Sequence, residues 1–594
     1  MTGMRMAGRG MLAAMLCAIG ALASFGQEGG GKEAAIPDMR WAVKIPMRDG
    51  VSLNATLFLP HGQQDPVPVI FTLTPYIGDS YTDRAMYFAQ HGYVYALVDV
   101  RGRGNSGGTF EPFANDSKDG YDLVEWFAKQ PFCNGKVTMW GGSYAGYDQW
   151  TTLKTFPPHL ATIVPAAAAH PGTDFPFTFS IFAPYDEQWL TFTSGATSNA
   201  KLFGDEAFWE AKAKEYYDGH LAFQDFDRLA GNPSAIFQKW LQHPTPDAYY
   251  DAMVPTPEDY KRIKVPILTI TGDYDGDQAG AFTYYKRHME YGTAEAKANH
   301  FLIIGPWDHA GTRTPQREVG GLKFGEASVL DLNKLHTEWY DWVMKNGTKP
   351  EFLKKRVAYY VVGEGAENWK YADSLETIAN QTRTFYLGSN GSADTVFASG
   401  TLKEGGAAGG ADKWEYDPMD TRPGDGEGDG GGGLTSQAAV LNTYGNGVIY
   451  HTQPFSEATE VTGFLRFTAW LAMDVPDTDL DVDVYEILPG GGSVFLTGAT
   501  MRARYRESLR QEKLVTPGKA EKYVFDNFTF FSRRVQKGSR LRLFVHCPNS
   551  PGTEKNYNSG GVVAAETGKD AKTAHIALLH DAEHPSALEV PVVK

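Results

Sequence analysis

Polar and apolar positions change rhythm twice along this chain. Between about residues 41 and 165, short apolar runs alternate with amphipathic stretches. Segments 51–60, 67–74, 93–100 and 137–140 read as strands. The run at 67–74 is apolar almost throughout, as suits a parallel strand buried on both faces. Segments 84–91 and 116–129 read as helices, the second with Tyr121, Val124, Trp126 and Phe127 as its apolar positions. This alternation predicts a doubly wound α/β sheet. From 166 to 262 the rhythm fails, and the stretch is rich in Phe, Trp and Tyr with broken helical patterns. The α/β pattern then returns, with strands at 265–271 and 300–304 and helices at 279–291 and 330–345. A helical insertion at this place is most simply a cap over an active site.

Past 351 the period becomes two. Leu480, Val482 and Val484 alternate with Asp481 and Asp483, which gives one buried face and one wet face. Further strands at 464–471, 493–497, 523–531 and 539–545 are separated by Gly, Pro and Asn turns. This part predicts a β-sandwich or jelly roll. The expected organisation is a leader over 1–26, an α/β domain over 37–165 and 263–350, a helical cap over 166–262, and a jelly roll over 351–594. The glycine run at 424–433 reads as a loop inside that last domain.

Composition narrows the class. The chain has 594 residues, too many for one domain, and a hydrophobic fraction of 42% that fits an ordinary globular protein. A net charge of −16 argues against nucleic acid or anionic membrane as partner. Arg5 and Arg9 precede an apolar run over 11–23 and then Ser24-Phe25-Gly26-Gln27, the layout of a secretory leader cleaved near Ala23 or Gly26. The run is short for a membrane span, and Cys17 lacks the context of a lipid anchor. The mature protein is therefore expected in the periplasm or outside the cell, with no membrane attachment. Cys133 and Cys547 remain after cleavage, in different predicted domains, which argues against a disulfide. No Cys/His cluster has zinc spacing, and neither a metal nor a cofactor is expected. Homo-oligomerisation is left open.

The chemistry centres on Val137-Thr138-Met139-Trp140-Gly141-Gly142-Ser143-Tyr144-Ala145-Gly146. A strand runs through a glycine pair into a serine and then a helix, the layout of a nucleophile elbow. Ala145 departs from the usual G-x-S-x-G, and Gly146 supplies the small residue one place later. An acid and a histidine should follow at later strand ends, in that order. The strand at 265–271 leads into Asp273-Tyr274-Asp275-Gly276-Asp277, and the strand at 300–304 into Gly305-Pro306-Trp307-Asp308-His309. His309 would shuttle the Ser143 proton, and a carboxylate would fix its tautomer. Pattern alone leaves Asp273, Asp275 and Asp277 open, and a solvated turn or weak calcium site is the plain alternative. The G-x-G-x-x-G at Gly102–Gly107, with Asp122 twenty residues on, imitates a dinucleotide fingerprint. No helix opens after it, so a structural loop is expected.

These motifs, with Met47-Arg48-Asp49-Gly50-Val51, Thr74-Pro75-Tyr76, the stretch Asp99–Gly108 and Asn134-Gly135-Lys136-Val137, resemble the X-Pro dipeptidyl-peptidase and cocaine-esterase family of α/β-hydrolases, which includes the α-amino-acid ester hydrolases. The resemblance covers nearly the whole mature chain. It implies the α/β-hydrolase fold with an inserted helical cap and a C-terminal jelly roll. It also implies a triad of Ser143, Asp275 and His309, and an oxyanion hole formed by the Tyr76 hydroxyl and the Tyr144 N–H. A hydroxyl at Tyr76 is chemically apt, because Pro75 has no N–H to offer. The amino-acid ester hydrolases hold a substrate ammonium with extra carboxylates. Asp277 and Asp174 are the corresponding candidates, while Gln278 stands where a second acid is usual. The expected substrate is a small acyl ester, amide or peptide. An X-Pro dipeptidyl-peptidase is the nearest rival reading, and a catalytically silent carbohydrate-binding protein is the rival from another class.

Overall fold

The computed structural model describes residues 35–594 apart from 364, 366, 408, 424–432 and 442. The leader expected at 1–26 and nearly all of the glycine run at 424–433 lie outside the described residues.

The chain opens with strands β1 (Asp38–Pro46), β2 (Ser52–Leu59) and β3 (Val67–Thr74), helix α1 (Thr82–Gln90), β4 (Val94–Asp99), α2 (Asp116–Ala128) and β5 (Cys133–Met139). β6 (Gly141–Ser143) leads directly into α3 (Tyr144–Leu153), followed by β7 (Leu160–Thr162) and β8 (Pro165–Ala168). One half of the sheet has the order β1-β2-β4-β3-β5-β7. β3 and β4 are parallel, and β4 is buried at every position, which is why its sequence is a continuous apolar run.

After the cap come β11 (Ile267–Tyr274), α11 (Gln278–Tyr291), α12 (Ala294–Ala298), β12 (His300–Asp308) and α13 (Leu332–Met344). β11 lies parallel to both β8 and β12. Ile163 bridges Ile267, and the Leu268 N–H donates to the Ile163 carbonyl at 3.2 Å, so the two halves of the sheet run into one another. The C-terminal ends of β6, β11 and β12 therefore share one edge of the sheet, with β8 between β6 and β11. That edge is where α/β sheets place their sites.

The cap comprises a small hairpin, β9 (Phe177–Thr178) with β10 (Ile181–Phe182), and the helices α4 (Pro184–Thr193), α5 (Ala200–Phe203), α6 (Glu206–Asp218), α7 (Phe226–Leu229), α8 (Ala235–Leu241), α9 (Ala248–Asp251) and α10 (Pro257–Arg262). Its rings continue the core of the first half-sheet. Trp189 stacks on Tyr144 at 6.0 Å, and Tyr144 on Phe113 at 4.6 Å.

Two expected boundaries move. The cap was expected from 166, but β8 pairs with β6 and β11, so the sheet keeps residues 165–168. The jelly roll was expected from 351, but β13 (Val357–Val361) pairs parallel with β12, and β14 (Asn368–Ala372) antiparallel with β13. β13 is buried at every position, as an inner strand of a covered sheet must be. The jelly roll begins at the strand Gln381–Gly388 and runs to Ala587–Val593, with thirteen strands among the described residues. Its strand Arg466–Met473 alternates buried and wetter positions, as its sequence does.

Candidate active site

Ser143 caps α3 with φ 61° and ψ −126°. This is left-handed backbone, rare for a residue with a side chain, and it marks stored strain at the head of the helix. Gly146 explains why the departure at Ala145 is tolerated. A Cβ at 146 would lie 2.8 Å from the Ala166 carbonyl, so 146 is where α3 presses on β8. Ala145 needs no such clearance and is buried.

The three candidate acids after β11 go separate ways. Asp275 accepts from Thr271 Oγ1 at 2.8 Å, from the Asp277 N–H at 3.0 Å and from His309 Nδ1 at 2.9 Å. A carboxylate at Nδ1 keeps that nitrogen protonated and leaves Nε2 to act as a base. His309 follows β12, is buried, and accepts the Thr312 hydroxyl on its carbonyl at 2.8 Å. Asp273 is buried against the Ser532 backbone of the jelly roll, and burial pushes its pKa well above the carboxylate range. Asp277 approaches His309 Nδ1 only to 3.8 Å. Burial, with Asp174 and Asp275 nearby, pushes Asp277 well above its usual range, while Arg313 and the Ser143 hydroxyl pull it back.

Asp174 comes from the loop after β8. Its oxygens accept the His170 N–H at 2.8 Å and the Gly280 N–H near the start of α11. Burial raises its pKa to about 7. Both oxygens thus serve backbone, and Asp174 reaches the site through its field on Asp277. Gln278, standing where a second acid is usual in the resemblance, is an amide for a clear reason. It donates to the Gly272 carbonyl and the Phe530 carbonyl, each at 2.9 Å, and accepts the Phe530 N–H at 2.7 Å. A carboxylate could not donate those bonds.

On the other side of Ser143, Tyr76 is buried. Trp189 Nε1 donates to its hydroxyl oxygen at 3.1 Å. An indole N–H can only donate, so the Tyr76 proton stays available to donate elsewhere. Ser143 lies against this hydroxyl and eases its ionisation, while burial raises its pKa overall. The Tyr144 side chain is fully committed: its hydroxyl donates to Asp116 Oδ2 at 2.8 Å and accepts the Phe113 N–H at 2.7 Å. Only its backbone N–H, at the first turn of α3, can face a reacting group.

Trp189 and Arg103 are among the residues whose roles escape sequence reasoning. Trp189 lies in the cap with no local signal. Arg103 sits in the G-x-G-x-x-G loop with its side chain fully buried. Its guanidinium donates to the Pro75 carbonyl at 2.8 Å and the Thr193 carbonyl at 2.7 Å. Burial lowers its pKa to about 10. The loop is thus a brace between the Tyr76 turn and the end of α4. Asp122 pairs with Arg48 at 2.7 Å near the surface.

Two family models match in tandem. The X-Pro dipeptidyl-peptidase (S15 family) model covers residues 49–311, and the X-Pro dipeptidyl-peptidase C-terminal non-catalytic domain covers 343–589. The cocaine esterase of Rhodococcus sp. (strain MB1 Bresler) is 26% identical over 583 residues, spanning 93% of this chain and 98% of its own length. An aminopeptidase structure from the marine sediment archaeon Thaumarchaeota archaeon superposes with TM-score 0.80 at 21% identity, covering 96% of this chain and 99% of its own. An α-amino acid ester hydrolase structure gives TM-score 0.79 at 20% identity, covering 97% and 100%. The chain belongs to the X-Pro dipeptidyl-peptidase and cocaine-esterase family of α/β-hydrolases. It is a serine hydrolase, with a helical cap and a C-terminal jelly roll, and the reading as a silent carbohydrate-binding protein falls with that.

Proposed function

We propose that Ser143, His309 and Asp275 are the triad of an exported acyl hydrolase that cleaves small esters or amides through an acyl-enzyme, with α-amino-acyl groups as its preferred acyl part. The bond between Asp275 and His309 carries this reading, because it lies at adjoining strand ends beside the strained Ser143. His309 Nε2 takes the Ser143 proton as the hydroxyl attacks the carbonyl. The oxyanion forms between the Tyr76 hydroxyl and the Tyr144 N–H. His309 returns the proton to the leaving group, and water repeats the sequence to free the acid. Asp277 would face a substrate ammonium, whose charge would favour the carboxylate that burial and the neighbouring acids disfavour.

The match to a peptidase family model supports X-Pro dipeptidyl-peptidase activity as a second reading. A panel of p-nitrophenyl esters, aminoacyl esters and Xaa-Pro-anilides separates the two. Fastest turnover of aminoacyl esters is expected, and a preference for the anilides would replace the first reading with the second. Fluorophosphonate should label wild type and fail to label Ser143→Ala, which should lose several orders of magnitude in kcat while melting normally. Near-normal hydrolysis by a contaminant-free variant would end the triad assignment. Export is tested by the mature N-terminus in a secreting host, expected just after Ala23 or Gly26.

A further inference from the structure

Arg313 lies four residues past His309 on the same loop. Its guanidinium fills the space that a side chain at Gly142 would take. A Cβ built on Gly142 would fall 2.2 Å from Arg313 Nη1 and 2.8 Å from its Cδ. Gly142 immediately precedes Ser143, so this cation is pressed against the elbow. Its backbone is fixed from behind: Arg84 Nη2 donates to the Arg313 carbonyl at 2.7 Å, and the Arg313 N–H donates to the Ala310 carbonyl at 3.1 Å.

The guanidinium itself is almost unspent. Its one hydrogen bond is a long one, from Nη1 to Thr312 Oγ1 at 3.4 Å, and among the described residues it makes no ion pair. The acid whose charge it moderates is Asp277, across the site. A half-buried guanidinium with most of its N–H groups free is preorganised for a planar anion, which it can bind through two parallel hydrogen bonds. The loop that carries Arg313 also carries His309, the group that would hand a proton to the departing oxygen or nitrogen. On the strength of that shared loop, the Arg313 side chain is assigned to the leaving-group side of the reaction.

We propose that Arg313 binds a carboxylate on the leaving group, so that the enzyme's own substrates are esters of hydroxy acids or amides of amino acids whose acid group is free. The inference rests on the reading of Ser143 and His309 as nucleophile and base. With Asp277 facing an acyl-side ammonium, the two charges match the two ends of a small zwitterionic peptide.

The test is a matched pair of aryl esters: 4-acetoxybenzoate, whose leaving group is an acid, and its methyl ester, whose leaving group is neutral. Wild type, Arg313→Met and Arg313→Lys are compared by kcat/KM on both, with melting curves. The preference for the acid over the ester should fall about tenfold to a hundredfold in Arg313→Met, the usual worth of a hydrogen bond to a charged group. Arg313→Lys should keep part of it, since the charge remains without the planar fork. Should Arg313→Met melt early, the lysine variant alone still reads the change in preference. A second readout needs no turnover: 4-hydroxybenzoate should slow fluorophosphonate labelling of wild type and leave the Arg313→Met rate unaltered. An acid preference unchanged within about twofold, with equal protection of both proteins, would overturn the proposal. Equal loss on both esters would also overturn it, by making Arg313 only a counter-charge for Asp277. Failure of fluorophosphonate to label wild type at Ser143 would strike the parent reading instead.

Discussion

In the jelly roll, one group of buried acids comes with arginines. Arg502 lies 2.9 Å from both Asp479 and Glu554, Arg504 pairs with Asp477 at 2.8 Å, and Arg533 with Glu486. Around Ser143 the arrangement is the reverse. Asp174, Asp275 and Asp277 share one corner, and the one guanidinium nearby stands off from all of them. Asp116 and Asp148 lie buried behind the same elbow, again with no arginine bonded to them among the described residues. Buried acids must be neutralised by something. In the jelly roll the fold does this permanently. At the elbow the task falls to a proton, to the imidazolium that forms during reaction, or to substrate. On the proposed triad, the acids grouped at the elbow without arginines belong to the working end of the molecule, and the arginine-paired acids of the jelly roll to its frame.

The sharpest way to break that contrast is at the acid turn. Asp275→Asn should lower kcat about 10⁴-fold, as loss of the imidazole's orienting carboxylate does elsewhere. Asp273→Asn should change kcat little, because that side chain is buried against the jelly roll away from the imidazole and an amide replaces it closely. Steady-state kinetics on any accepted ester decide it, and equal effects would mean that the acid has been misplaced. Next in size, Tyr76→Phe should lose about 10²–10³ in kcat with little change in KM, if its hydroxyl donates to the oxyanion. A purely packed tyrosine predicts wild-type rates, since the ring is retained.

On the frame side, Arg502→Met leaves Asp479 and Glu554 facing each other unpaired. A loss of about 3–5 kcal/mol in denaturant melts is expected, with kcat per fluorophosphonate-labelled site unchanged. A stability change under about 1 kcal/mol would show that these pairs are not structural. The smallest effect concerns pH. Burial raises Asp116 from 3.8 to about 7 and Glu187 from 4.5 to about 8. The folded chain holds these protons more tightly than the unfolded chain. Their contribution to stability is therefore whole below about pH 4 and is lost as pH rises through about 7 to 8. The melting temperature should decline over that range, and Asp116→Asn should flatten the decline. A melting temperature that rises from pH 5 to 8, unaltered by the substitution, would contradict it.

Sequence was most legible where chemistry and strand order coincide. Ser143, Asp275 and His309 each follow a strand whose apolar run announces it, and the order of the three is dictated by the sheet. The choice of Asp275 over Asp273 was beyond pattern. The strand ends at Tyr274, so Asp273 still belongs to it while Asp275 stands in the turn beyond, and the two meet different surroundings: the jelly roll for Asp273 and the imidazole for Asp275. Segments 357–361 and 368–372 fell inside the stretch read as an all-β jelly roll but pair with the hydrolase sheet, because local sequence specifies β-structure and not its partner. Trp189, Arg103 and Arg313 were silent for a related reason. Each acts on a segment far away in sequence, and a donor's meaning lies in the acceptor it reaches.

The amide of Gln278 has a consequence for anyone who would rearrange this protein. It meets both backbone groups of Phe530 as an extra residue of strand would, and with the same side chain it grips the turn that holds Asp275. The terminal domain is thereby stitched to the imidazole's support by bonds that another domain could not reproduce by shape alone. A chimera that exchanges jelly rolls between relatives should bring residue 278 and the loop around 530 from one parent. Chimeras joined between them would be expected to fold as two sound halves and lose turnover, as a lock does when its cylinder and its strike plate come from different makers.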